Sequence, residues 1–253
     1  MDSLNEKQLN AFNAMINEGN VFITGPGGSG KSHVLNIFID YFKKNIQDDD
    51  NQIYMTSSTG LSSLLIHGIT IHQYSGLGSG MKELDYYVDR VKKNKNIRNR
   101  WRNTKTLIID EISMIGEDFF EKLDILGQKI RKNNQPFGGL QLIVSGDFLQ
   151  LPPVKSSGFC FESFSWDICN FEIFYFDKII RQDDKKLQSI LNKVRLGIID
   201  KDVKKILNSR LNKEMSNIHG IKPTLLFSRK DMVKDYNEKK LEELINKGNE
   251  KRE

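Results

Sequence analysis

Cysteine is nearly missing from this chain: Cys160 and Cys169 are the only two among 253 residues. Their spacing fits neither a zinc knuckle nor a redox Cys-x-x-Cys pair, which excludes both chemistries and points to a reduced, intracellular protein. Alanine is equally rare, with only Ala11 and Ala14, while Lys, Asn and Ile abound. That is a bias of AT-rich coding rather than of physical need. No apolar run approaches the ~18 residues of a membrane span. The opening Met1-Asp2-Ser3-Leu4-Asn5-Glu6 lacks both the basic and the apolar stretch of a secretory signal. A soluble protein with no membrane contact is expected. Neither sign of charge dominates: 38 basic against 33 acidic residues leave +5, and the pI is near 9.0. So mild an excess argues only weakly for a polyanionic partner.

What the chain does contain is enough to fold. Leu, Ile, Val and Phe make up 76 of its residues, well above the roughly 20% floor below which chains stay disordered. Ser3 and Glu6 have capping-box spacing, followed by Leu9, Phe12 and Ile16 at helical intervals, with Gly19 as a stop. Val21-Phe22-Ile23-Thr24 reads as a buried strand and Ile53-Tyr54-Met55-Thr56 as the next, while Leu107-Ile108-Ile109 and Leu142-Ile143-Val144 read as strands buried on both faces. Asp48-Asp49-Asp50-Asn51 reads as a polar loop, and Phe119, Phe120, Leu123, Leu126 and Ile130 mark a further helix. Strands alternating with helices predict an α/β fold with a mainly parallel sheet. Phe174-Tyr175-Phe176 is its last expected strand, and Leu187, Ile190, Leu191 and Val194 form a helical stripe ending at Gly197. Thr224-Leu225-Leu226-Phe227 is expected to open a new strand, followed by a charged helix through Leu241, Leu244 and Ile245. From Arg90 to Lys105 there are eight Lys or Arg, no acid, and Trp101 among them. Composition leaves a solvated basic face and a DNA-facing patch equally open.

Three motifs carry chemistry. Gly25-Pro26-Gly27-Gly28-Ser29-Gly30-Lys31-Ser32 satisfies the phosphate-binding pattern G-x-x-x-x-G-K-[ST] between a strand and a helix. Its glycines let backbone N–H groups converge on phosphate oxygens, and the helix N-terminus adds its positive end. Lys31 would neutralise the β- and γ-phosphates, and the Ser32 hydroxyl would ligate Mg²⁺. At the end of an apolar strand, Asp110 can hold Mg²⁺ while Glu111 orients or deprotonates the attacking water. The stretch Ser145-Gly146-Asp147-Phe148-Leu149-Gln150-Leu151-Pro152-Pro153 follows a third strand, and Gln150 is the candidate for contacting the γ-phosphate. No Asn-Lys-x-Asp motif follows, so ATP is expected rather than GTP.

In this order the motifs resemble the N-terminal part of the petite integration frequency (PIF) DNA helicases, in the RecD-like 5′-to-3′ branch of helicase superfamily one. Leu4-Asn5-Glu6-Lys7-Gln8 resembles that family's adenine-reading motif. Ser58-Thr59-Gly60 through Gly68-Ile69-Thr70-Ile71-His72 resembles a DNA-contacting region. Ile130 to Asn133 with Pro136-Phe137-Gly138-Gly139 matches a stretch peculiar to the family, and Arg181-Gln182 with Val194-Arg195-Leu196-Gly197 resembles its fourth motif. The resemblance implies a RecA-like ATPase domain over 1–180, and linker helices with an incomplete start of a second RecA-like domain over 181–253. It implies ATP and Mg²⁺ as cofactors, Gln8 on the adenine edge and Arg181 as an arginine finger. Thr59, Gly60 and His72 would lie along the DNA, with Phe148, Pro152 and Pro153 flanking bases. The implied partners are single-stranded or forked DNA, and the implied processes are DNA repair, recombination and telomere maintenance.

The family's remaining motifs do not occur before Glu253. The expectation is therefore a truncated, fragmentary or split helicase, monomeric, able to pair with a separate C-terminal half and not competent to unwind alone. Two other readings compete. A non-catalytic nucleotide- and DNA-binding remnant would keep the motifs without hydrolysis, and a P-loop small-molecule kinase would leave the third motif and the family stretch unexplained.

Overall fold

The computed structural model describes residues 4–45, 52–154, 158–211 and 223–249. The short apolar runs form strands: β1 (Val21–Thr24), β2 (Ile53–Ser57), β3 (Ile69–Thr70), β4 (Thr106–Asp110), β5 (Gln141–Gly146) and β6 (Glu172–Tyr175). They build one six-stranded sheet in the order β3-β2-β4-β5-β1-β6, and every pairing is parallel. Because side chains alternate along a strand, each apolar run feeds two cores. Phe22, Leu107, Ile109, Leu142 and Val144 face one side with Tyr74, Trp101 and Phe120. Val21, Ile23, Ile108 and Ile143 face the other with Phe12, Val34, Leu35 and Phe38.

Helices α1 (Glu6–Ile16) and α2 (Lys31–Asn45) cover the second face. The first face is covered in part by α4 (Ile71–Ser75), α5 (Leu84–Lys93), α6 (Lys95–Asn103) and α7 (Glu117–Arg131), while the short α3 (Gly60–Leu65) follows β2. The predicted capping box falls elsewhere: Ser3 and the 48–51 loop lie outside the described residues, and α1 is capped by Asn5. Its Oδ1 accepts from Gln8 N at 3.1 Å while Gln8 Oε1 accepts from Asn5 N at 3.0 Å. This placement packs Leu4 against the core. The helix ends at Ile16, before the expected stop at Gly19, and Glu18 takes the left-handed turn (φ 61°).

The basic stretch is largely a packing device. Trp101 is fully buried, its Nε1 donating to Ser75 O at 3.1 Å. Arg100 donates to Gln73 O and Tyr74 O, Arg98 to Lys92 O and Arg102 to Ile130 O. Trp101 is thus no stacking platform, whereas Arg90, Lys92, Lys93 and Lys95 are exposed. The family stretch also acts locally, as Arg131 donates to Gly138 O (2.7 Å), Trp101 O (2.6 Å) and Thr104 O (2.8 Å). Buried Asp124 holds Phe137 N at 2.6 Å. The stretch therefore clasps α6 to α7.

After α8 (Phe164–Ile168) and β6 comes α9 (Lys185–Arg195). The first compact unit runs to Ile199, past the boundary expected after residue 180, and a second covers Asp200–Glu253. The later boundary has a cause in α9, whose Arg195 pairs with Asp147 of the first unit. In the second unit lie α10 (Lys201–Asn208) and α11 (Lys230–Asn249). The strand expected at Thr224–Phe227 is not there. A strand needs a ladder partner; the segment pairs with none among the described residues, and Leu226 is 92% exposed.

Candidate nucleotide-binding site

Ligands of open parallel sheets bind beyond the carboxyl ends of the strands. Here the neighbours β4, β5 and β1 end side by side in Asp110, Gly146 and Thr24, so Asp110-Glu111, Asp147 and the Gly25–Ser32 loop come together. Two of the loop's glycines take backbone conformations that strain any side chain. A Cβ on Gly25 (φ +145°) would overlap the Phe176 carbonyl, and one on Gly30 (φ +90°) would stand 2.6 Å from Gln8 Nε2.

Lys31 folds back over its own loop, donating to Gly25 O at 2.8 Å and Pro26 O at 3.1 Å. Burial lowers its pKa, against the opposing pull of Glu111, Asp147 and Asp110. Ser32 Oγ donates to Asp110 Oδ2 at 2.9 Å. Both atoms are hard oxygen donors, and adjacent ligands of an octahedral Mg²⁺ at about 2.1 Å stand about 3.0 Å apart, so the pair fits that ion. Glu111 sits in the left-handed region (φ 55°), a costly conformation for a residue with a Cβ and one that gathers at functional sites. Burial, then the neighbouring Asp110, push its carboxyl above the ordinary value, while Lys31 pulls it back.

A cavity of about 490 Å³ gathers Gly27, Gly28, Gly30, Lys31, Ser32, Glu111, Gln150 and Arg181, with His33 and Ile180. The loop is tied to the finger segment, since Ile180 N and Arg181 N both donate to Gly28 O, at 2.8 and 3.1 Å. Gln150 Nε2 lies 3.4 Å from where a Cβ of Gly27 would stand. A larger cavity, about 700 Å³, lies at the amino end of the sheet, but Arg131 and Gln141 there are spent on backbone carbonyls.

Not every expected residue stands as the sequence suggested. Gln8 is buried, its Oε1 taken by Asn5 N and its Nε2 donating to Ser29 O at 3.3 Å; in this structure it braces the phosphate loop. Phe148 is half-buried and packs with Phe22, Phe161 and Trp166 at centroid distances of 5.6, 4.7 and 5.9 Å, so part of its ring is held against the core. Thr59 caps α3 through Ser62 N and Gly60 is exposed, both at the carboxyl end of β2. The His72 ring packs on Phe119 at 4.5 Å, and burial lowers its pKa. Pro152 is exposed and Pro153 half-buried. Missing from the expectations were roles for Asp147 and Arg195, which form a two-pronged ion pair: Nε to Oδ2 at 2.7 Å and a second guanidinium nitrogen to Oδ1 at 2.8 Å.

An all-parallel sheet with this loop, the Asp110–Ser32 pair and Glu111 on one cavity defines a P-loop nucleotide-binding domain of RecA-like type. The family model "PIF1-like helicase" matches residues 3–216. The chain belongs to the PIF1-like helicase family. It is 41% identical over 231 residues to the ATP-dependent DNA helicase RRM3 of Saccharomyces cerevisiae, covering 89% of this chain and 32% of that one. The crystal structure of Pif1 helicase from Candida albicans superposes with a TM-score of 0.89 at 34% identity, over 96% of this chain and 55% of that one. Pif1 helicase from Bacteroides, in complex with ADP-AlF3 and single-stranded DNA, gives 0.80 at 25% identity, over 95% and 57%. The chain spans between 26% and 48% of the length of such curated relatives.

Lys31→Ala removes the ammonium that lines the cavity beside the loop. It should weaken ATP binding roughly 10–100-fold, the worth of a charge-assisted hydrogen bond. Calorimetry giving equal affinity for both proteins would contradict the assignment.

Proposed function

We propose that this chain is the ATP-hydrolysing part of a DNA helicase that moves 5′-to-3′ along single-stranded DNA. The observation that carries this reading is the convergence of Lys31, Ser32, Glu111, Gln150 and Arg181 on one cavity, with Asp110 bonded to Ser32 behind it. Ser32 and Asp110 would hold Mg²⁺ and Lys31 the β- and γ-phosphates, and the ion would supply neutralisation of the charge that develops on them. Glu111 would take the proton of the attacking water. Gln150 would contact the terminal phosphate, Arg181 would meet it from the segment after β6, and Gln8, now bracing the loop, would also face the adenine.

The reading is supported by relatives named as ATP-dependent DNA helicases and by neighbours solved with single-stranded and forked DNA. Thr59, Gly60, Pro152 and Pro153 follow β2 and β5 on the same edge of the sheet as the cavity, which suits a strand laid across that edge. His72 would extend this track. A non-catalytic remnant is disfavoured because a carboxylate able to take a proton, Glu111, and two cations, Lys31 and Arg181, border the same cavity.

The test is ATP hydrolysis by the full chain with and without single-stranded DNA, and DNA affinity against salt. DNA should stimulate phosphate release, and log K should fall by about 0.7 per phosphate contact for each decade of salt. Hydrolysis indifferent to DNA, or an affinity indifferent to salt, would overturn the helicase reading.

A further inference from the structure

Beside the nucleotide cavity lies a charged pair that none of the roles above uses. Asp147, at the end of β5, is 1% exposed, yet its carboxylate has donors on every side. Arg195, the last residue of α9, grips both oxygens at 2.7 and 2.8 Å. Leu149 N donates to Oδ1 at 3.2 Å, and Gln150 Nε2 donates to Oδ2 at 3.1 Å. Oδ2 thus serves two masters: the guanidinium and the amide that borders the phosphate loop. Burial alone would push the Asp147 carboxyl up, but the bonds from Arg195, Leu149 and Gln150 outweigh it and hold the group below its ordinary value.

Resting on the ATP reading above, we propose that Arg195 is a positioning residue that acts through Gln150. By clamping Asp147 it lets the Gln150 amide leave the carboxylate for the terminal phosphate and return when that phosphate is gone. The argument is one of unpaired charge. A buried carboxylate must keep its donors, because leaving one unmet carries most of its desolvation penalty. With Arg195 in place, Oδ2 stays bonded when Gln150 departs, so the amide is released at little cost. Without Arg195 the carboxylate keeps only Gln150 and Leu149 N among these donors, and it retains the amide. The contact that distinguishes ATP from ADP is then lost, although Arg195 does not line the cavity.

The experiment measures affinity of the full chain for ADP and for a non-hydrolysable ATP analogue by calorimetry, with melting temperatures alongside. Wild type should prefer the triphosphate. Arg195→Gln should reduce that preference roughly tenfold, the worth of one charge-assisted hydrogen bond, with ADP affinity unchanged. Arg195→Lys should recover part of it, since a point charge lacks the guanidinium fork. In a Gln150→Ala background, Arg195→Gln should change the preference no further, because both act on one contact. If Arg195→Gln does not fold, Arg195→Lys carries the same test with a smaller fall. The clamp is overturned if the preference survives Arg195 substitution, if both nucleotides weaken equally with a lower melting temperature, or if the Gln150→Ala background does not absorb the effect. Wild type binding neither nucleotide would overturn the nucleotide reading itself, and the clamp with it.

Discussion

Arg181→Ala should lower the turnover of ATP roughly 10³–10⁵-fold, the range that arginine fingers supply. The guanidinium borders the cavity that holds Lys31 and Glu111, where it can meet charge that appears on the terminal phosphate only as the bond breaks. Its segment is fixed by main chain, through the N–H groups of Ile180 and Arg181 on Gly28 O. Alanine leaves those bonds in place, so ADP affinity and melting temperature should stay near wild type. Single-turnover hydrolysis close to wild type would remove Arg181 from the reaction.

Glu111→Gln should be nearly as severe, about 10²–10⁴-fold in turnover, the usual worth of a general base. Glutamine keeps the shape and cannot accept the proton of water. The left-handed backbone at this position is tolerated equally by both residues, so the fold should be unaffected. ATP should bind to the variant and persist, giving a trapped complex measurable by filter retention. Hydrolysis by Glu111→Gln at the wild-type rate would assign the proton to another group.

How much of this could be read from the residues alone depended on distance along the chain. The Gly25–Ser32 loop, the Asp110-Glu111 pair and the strands at 21–24, 107–109 and 142–144 are local signals: apolar runs too short for helices, bounded by polar ends. Their convergence on one cavity follows once the strands are parallel, because parallel strands all end on the same edge. Trp101 was ambiguous because eight basic neighbours conceal that the spacing of the helix turns it inward. The packing of Phe148 is hidden for the opposite reason, as its partners Phe22, Phe161 and Trp166 come from other segments. Nothing local announces that Arg195 will reach Asp147. Thr224–Phe227 has the composition of a strand, but composition does not supply a neighbour.

The order of the strands also has a consequence for how the chain is made. The strand that carries the phosphate loop, β1, emerges before the other strands of the sheet, yet its ladder partners among the described residues are β5 and β6. Both lie more than a hundred residues further along, in register with Val21 at Ile143 and Glu172. At a synthesis rate of about 5–20 residues per second, Val21-Phe22-Ile23 would wait roughly 6–30 s for a partner. Over that interval β2 and β4 can pair with each other, but the loop has no sheet to stand on. A nascent chain should therefore acquire ATP affinity only after β6 has left the ribosome, and chaperone binding would concentrate on the first apolar strand until then.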